Sequence, residues 1–234
     1  MCASNNSKKN IFYFGNKKSD GNGAMKEILG GKGAGLAEMT EIGINVPPGF
    51  TISTRVCDMF YKNKKQTPKV INTEMKSNLT KLEKMTKKGF GDPKNPLLVS
   101  VRSGAMFSMP GMMDTILNLG LNDKTVAGLS KKTNNPRFAW DAYRRFIQMF
   151  SDVVLNVDKN LFEDLLEDLK KKKKVNHDVD LNEAALKSLV QDYKKLVKSK
   201  TKREFPQNPL DQLVKAVDAV FLSWNNKRAI FYRK

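Results

Sequence analysis

Short apolar runs and helical periodicities divide this chain into two halves of different character. Ile11 to Phe14 is a compact apolar run closed by Gly15 and predicts a strand. After a loop and a glycine-rich stretch, Leu36, Met39 and Ile42 recur at helical spacing, predicting a helix from near Gly33 to near Gly43. Pro47-Pro48-Gly49 is a rigid turn into a second strand, Phe50 to Ser53. Helices are predicted over 54–63 and 69–87, the second with Ile71, Met75, Leu82 and Met85 on one face. Leu97 to Val101, after a Pro/Asn/Gly loop at 91–96, is the clearest strand of the chain, and 115–119 reads as another. From about residue 122 the period is helical almost throughout, with helices predicted over 136–155, 159–174, 182–200 and 209–225. In the last of these, Leu213, Val217, Val220, Phe221 and Trp224 form one apolar stripe, a packing face rather than a ligand box. No internal repeat is visible, and Phe231 to Lys234 carry no obvious terminal structure. The expected fold class is α/β (α+β), with a substantial helical part.

Composition narrows the picture. The chain has 234 residues, 40% of them apolar, enough to bury a core in one large domain or two small ones. No apolar run approaches the ~18 residues of a membrane span, and the first ten residues lack the apolar centre of a secretory leader. Cys2 and Cys57 make no disulfide framework, so a reduced, cytoplasmic setting is expected, with an organelle as the other candidate. The net charge of +18 invites a nucleic-acid reading, but its source is 34 Lys against 8 Arg, spread along the chain. Base and phosphate recognition favours the planar Arg fork, and no helix-turn-helix, RNP-like or zinc-finger spacing is present. The expectation is a solvated lysine surface, with neither nucleic acid nor membrane as partner. The run Lys170 to Lys174 follows Glu163, Asp164, Glu167 and Asp168 and reads as a helix C-terminus, where the macrodipole favours cations.

Arginine is the scarcer cation, and four of the eight (Arg102, Arg137, Arg144, Arg145) fall within one 44-residue stretch. Two segments carry candidate chemistry. Gly30-Gly31-Lys32-Gly33-Ala34-Gly35 combines glycines that let backbone N–H groups approach a phosphate, a helix start that favours an anion, and a mobile lysine charge. It matches neither the Walker A spacing nor a Rossmann fingerprint, and alone it also reads as a plain helix entry with a solvated lysine. Val99-Ser100-Val101-Arg102-Ser103-Gly104 sets an arginine at the end of an expected buried strand, where open α/β sheets bind ligands. A buried guanidinium there needs an anion, either a ligand or an internal carboxylate. The following Ser108-Met109-Pro110-Gly111-Met112-Met113-Asp114 suits a flexible apolar cover over a planar base, though Met is also a generic gap-filler.

Taken together, residues 30–54 (GGKGAGLAEMTEIGINVPPGFTIST) and 97–123 (LLVSVRSGAMFSMPGMMDTILNLGLND) closely resemble the N-terminal nucleotide-binding domain of the pyruvate, phosphate dikinase family. Residues 135–154, 204–213 and 219–233 fit the same family in the same order, so the resemblance covers essentially the whole chain from Ile11. The Ser-Met-Pro-Gly-Met-Met-Asp-Thr stretch separates it from the related phosphoenolpyruvate synthases. The resemblance implies an ATP-grasp fold and an enzyme that interconverts ATP, phosphate and pyruvate with AMP, pyrophosphate and phosphoenolpyruvate, using Mg²⁺ and a relay phosphohistidine. It implies Lys32, Arg102, Gly104, Met109 and Gly111 at the nucleotide, and Arg145 at the transferring phosphoryl group or inorganic phosphate. His177 does not match the phosphohistidine motif and is expected to be a surface or packing histidine.

The expected organisation is an α/β nucleotide-binding section over 1–120, a helical section over 121–205, and a helical return over 206–234. The chain is expected to be the truncated N-terminal portion, with the Mg²⁺ ligands and the pyruvate site in absent parts, and with no dikinase activity by itself. Homo-oligomerisation is expected only of the intact enzyme. The alternatives are a non-catalytic nucleotide-binding or interaction module, a phosphoenolpyruvate synthase-like kinase, and a basic nucleic-acid binder.

Overall fold

The computed structural model describes residues 9–105 and 111–233. The chain folds into two compact units that interleave along the sequence. One is built from the chain up to Lys87, from Arg102–Asp114 and from Val220 onward; the other is built from Lys88–Val101 and Thr115–Ala219.

The first unit is organised around strand β1 (Ile11–Gly15). It pairs antiparallel with β2 (Lys18–Ser19) on one side and with β3 (Gly49–Ile52) on the other, Ile11 opposite Ile52 and Phe14 opposite Gly49. Successive strand side chains point to opposite faces, and both Ile11 and Phe12 are buried, so β1 is covered on both sides. Helix α1 (Lys26–Glu41) packs against β1 and β2, with Leu29, Ala34 and Ala37 closing on Phe12. Helices α2 (Thr54–Lys62) and α3 (Lys69–Thr86) follow, burying Val56 and Phe60 from the one and Ile71, Met75, Leu79 and Leu82 from the other. Met85, expected on that face, is exposed instead, and the buried stripe ends at Leu82, about one turn earlier.

The second unit contains β4 (Val99–Arg102) up to Val101, and β5 (Thr115–Leu119), paired as a two-stranded sheet. Helices α4 (Thr125–Thr133), α5 (Pro136–Val153), α6 (Lys159–Lys173) and α7 (Glu183–Thr201) complete it with most of α8 (Pro209–Ser223). Helix α5 packs on α4 and α7. Its Asn135 side chain accepts the Phe138 N–H and Pro136 opens the first turn, a capping arrangement legible in Asn-Pro. Its inner face brings Tyr143, Phe146 and Phe150 around the ring of Phe205, at centroid distances of 5.6–6.4 Å. Such edge-on pairs add roughly 0.5–1.5 kcal/mol each beyond burial. The lysine run closes α6 as expected, with Lys174 in the left-handed conformation after it.

Helix α4, strand β2 and a short terminal helix are among the elements that were not anticipated. Helix α4 contains Gly128, whose hydrogen faces the Pro93 carbonyl so closely that a Cβ would lie 2.1 Å from that oxygen. Close packing selected the glycine there at the expense of helix propensity, and so weakened the sequence signal. Strand β2 is too short to show a period. Beyond the helix predicted over 209–225, within the expected helical return, a separate short helix α9 (Lys227–Arg233) forms, capped by Asn226 Oδ1 accepting the Ala229 N–H at 2.7 Å.

Candidate functional site

The glycine-rich stretch and the end of β4 meet backbone to backbone in the first unit. Gly30 sits at φ 69°, ψ 169° inside α1 and breaks the helix there, so a new helical turn starts at Gly31 and Lys32. A Cβ on Gly30 would fall 1.3 Å from the carbonyl oxygen of Gly104, and one on Gly104 would fall 3.3 Å from that of Leu29. The Gly31 N–H donates to Ala105 O at 2.9 Å, fixing the approach. Gly33 lies against Thr51 of β3, where a Cβ would come within 2.7 Å of a methyl. These contacts bring Lys32 beside the segment that follows Arg102, and its Nζ donates to Ser103 O at 3.2 Å.

Lys32 and Arg102 are both exposed, and among the described residues neither has a carboxylate partner. This corrects one expectation. The strand that delivers Arg102 is not buried: β4 alternates half-buried and exposed positions, because its sheet has two strands and one solvent-facing side. Burial therefore does not force an anion onto Arg102; the guanidinium is instead a solvent-facing cation lacking a carboxylate among the described residues. Gly104 is half-buried in the backbone contact. Gly111 is exposed at φ 71° with open space where a Cβ would project, so its conformation alone favours glycine. Met109 lies outside the described residues.

Arg145 belongs to the second unit and has a different environment. It is 55% exposed on α5, its Nε donating to Asp141 Oδ2 at 3.0 Å and its terminal nitrogen 3.7 Å from Asp178 Oδ2. Its neighbour Arg144 is 3% exposed and binds the same two acids, Nε to Asp141 Oδ1 at 2.8 Å and a terminal nitrogen to Asp178 Oδ2 at 2.7 Å. Arg137 donates to the backbone carbonyls of Asp178 and Leu181. Burial alone would raise the Asp178 carboxyl, but the charge and hydrogen bond of Arg144, joined by Lys170, hold it below the ordinary carboxylate value. Three of the four clustered arginines thus converge on the Asp178–Leu181 turn, a short 3₁₀ segment over Asp178–Asp180. Asp141, the bridge between Arg144 and Arg145, was not singled out from the sequence, although its spacing of three and four residues from them is the signal that finds it. His177 is exposed and sits just before the 3₁₀ turn, its N–H donating to Asp180 Oδ2; no helix surrounds it.

Among the described residues no group of three or more His, Cys, Asp or Glu side chains is placed to hold a metal ion. Among them, too, no helix is long and apolar enough to cross a membrane.

The family described as "Pyruvate phosphate dikinase, AMP/ATP-binding domain" matches residues 26–88 and 65–234. The chain is 53% identical over 219 residues to pyruvate, phosphate dikinase of Clostridium symbiosum, an alignment covering 93% of this chain and 25% of that protein. It is 52% identical over 215 residues to the enzyme of Entamoeba histolytica (92% and 24%), and 50% identical over 226 residues to the chloroplastic enzyme of Flaveria pringlei (97% and 24%). The chain spans about a quarter of the length of these relatives. With the matched family spanning both glycine segments and α5, this chain belongs to the AMP/ATP-binding domain family of the pyruvate, phosphate dikinases, a family of nucleotide-binding phosphotransferases.

Proposed function

We propose that this chain holds the phosphates of ATP for a pyruvate, phosphate dikinase reaction, in which ATP, phosphate and pyruvate interconvert with AMP, pyrophosphate and phosphoenolpyruvate. The observation that carries this reading is the Gly30–Gly104 contact. It brings two exposed cations, Lys32 and Arg102, to adjoining backbone, with no carboxylate against either among the described residues. Positive charge aimed at phosphate oxygens is what phosphoryl transfer requires, far more than a proton acceptor. In this reading Lys32 supplies a movable point charge, Arg102 a planar fork, and Gly104 and Gly111 backbone that a side chain would obstruct. Met109 is assigned to the same nucleotide by the family resemblance.

Arg145 is assigned to the transferring phosphoryl group or to inorganic phosphate. The support is that Asp141 orients its Nε edge while the guanidinium stays more than half exposed. The phosphohistidine, the Mg²⁺ ligands and the pyruvate site are assigned to parts of the enzyme other than the described residues, and so is homo-oligomer formation. The chain alone is inactive as a dikinase, and pyruvate-dependent AMP formation by the purified 234-residue polypeptide would overturn that.

Calorimetric titration with ATP tests the site. Lys32→Ala and Arg102→Ala should each weaken binding by about tenfold or more, the worth of one charge-assisted contact. Unchanged affinity in both variants would remove the reading.

A further inference from the structure

The Asp178–Leu181 turn is clipped to α5 at two points. Near the start of the helix Arg137 holds the turn's backbone, Nε donating to Leu181 O at 3.0 Å and a terminal nitrogen to Asp178 O at 2.6 Å. Two turns further on, Arg144 holds its carboxylate, 2.7 Å from Asp178 Oδ2. Residues seven apart share one helix face, so the two arginines set the turn against α5 in a fixed place. Lys170 of α6, itself paired with Glu167 at 2.6 Å, approaches the other carboxylate oxygen of Asp178 at 3.5 Å. Of the three cations around Asp141 and Asp178, only Arg145 is more than half exposed; Arg144 and Lys170 are buried or nearly so.

We propose that Asp178 is a positioning residue for Arg145, holding its guanidinium in place for inorganic phosphate or a transferring phosphoryl group. This rests on the assignment of Arg145 made above. Asp141, on the same helix, takes the Nε edge at 3.0 Å, and Asp178, brought in by the turn, lies 3.7 Å from a terminal nitrogen of the same guanidinium. An arginine on a helix surface has many rotamers, and ordering it on a ligand costs affinity. Two acids that approach its fork from different elements restrict it before any phosphate arrives. A carboxylate beside a cation also weakens its pull on an anion. Here Arg144 pairs with both acids from the buried side and Lys170 adds to it at Asp178, so Arg145 keeps its charge toward solvent. Asp178 touches no phosphate in this scheme and acts only through Arg145.

Charge and placement predict opposite signs, so one titration separates them. Removing an acid beside an anion site tightens phosphate if charge alone matters, and weakens it if Asp178 places Arg145. The full 234-residue chain is titrated with inorganic phosphate and followed at the Arg145 Nε–H signal by NMR, well below each variant's thermal midpoint. In the parent that signal should shift saturably. Asp178→Asn removes the charge; Asp178→Glu keeps it and moves it by one methylene. Each should raise the half-saturating phosphate concentration by about threefold or more, which lost stability alone would not do in a chain that stays folded. Asp178→Glu leaves Arg144 a charged partner and carries the test by itself if Asp178→Asn does not fold. A parent response with half-saturation unchanged or lowered in the folded variants overturns the role of Asp178 alone. An Arg145 signal that ignores phosphate in the parent overturns the phosphate assignment, and the positioning role with it.

Discussion

Arg144 and Arg102 show how one residue type meets two fates in this molecule. In the second unit Arg144 is 3% exposed and enclosed by Asp141 and Asp178, each within 2.8 Å. In the first unit Arg102 ends a half-exposed strand, and among the described residues no carboxylate reaches it. A buried guanidinium without acids would be costly, so Arg144 is inseparable from its two acids and is committed to structure. An exposed guanidinium without acids costs little to keep and stays available to a ligand. The glycines divide in the same way. Gly30 and Gly104 exist for a backbone contact, whereas nothing lies within 4 Å of where a Cβ on Gly35 would go. What a residue does is decided by what already saturates it.

Substitutions can break this contrast or sharpen it. The largest effect is expected at Gly30→Ala, where a methyl would overlap the Gly104 carbonyl and the residue would keep a left-handed φ of 69°. Urea denaturation should show a loss above about 4 kcal/mol, or a chain that fails to fold; a loss below about 1 kcal/mol would mean the two segments do not meet this closely. Next, Arg144→Met should cost about 3 kcal/mol by the same measurement, because two acids lose their buried partner. Arg102→Ala should stay within about 0.5 kcal/mol of the parent. Equal costs at the two positions would erase the distinction between them.

A pH effect follows at Asp178. Its carboxyl titrates below the ordinary value of about 3.9 in the folded chain, so the unfolded chain takes up the proton first. The stabilisation is complete above the ordinary value and is lost as the pH falls through the depressed one. Asp178→Asn should flatten the thermal midpoint against pH over that acid window and lower stability near neutrality by about 1–2 kcal/mol. A midpoint curve of unchanged slope would show that Asp178 is not the group responsible. The smallest change is expected at Gly35→Ala, a gain of about 0.5–1 kcal/mol from helix propensity with ATP affinity unchanged.

Much of the architecture was legible where one element decides its own period. Strands β1 and β3, helices α2 and α3, and helices α5 to α8 lie within a few residues of the apolar patterns that predicted them. The misses came from partners distant in sequence. Gly128 looks like a helix breaker until the Pro93 carbonyl is seen against it. The burial expected of β4 failed because an apolar run does not reveal how many strands will flank it. The GGKG and SVRSG segments could be read as candidates, but nothing local announces that they touch, since the contact joins backbone atoms some seventy residues apart. Asn226 is equally silent, because its partner Met112 is 114 positions away.

The order in which the chain is written carries a cost for the first unit. Its last portion begins at Val220, while its middle portion ends at Asp114. At synthesis rates of about 5–20 residues per second, the intervening stretch takes roughly 5–20 s to emerge. Throughout that wait the Lys32 and Arg102 segments are present, but the Ser223–Asn226 corner that holds Met112 and Asp114 is not. A nascent chain that stalls or is cut inside α8 would therefore carry every proposed nucleotide contact and still lack that corner.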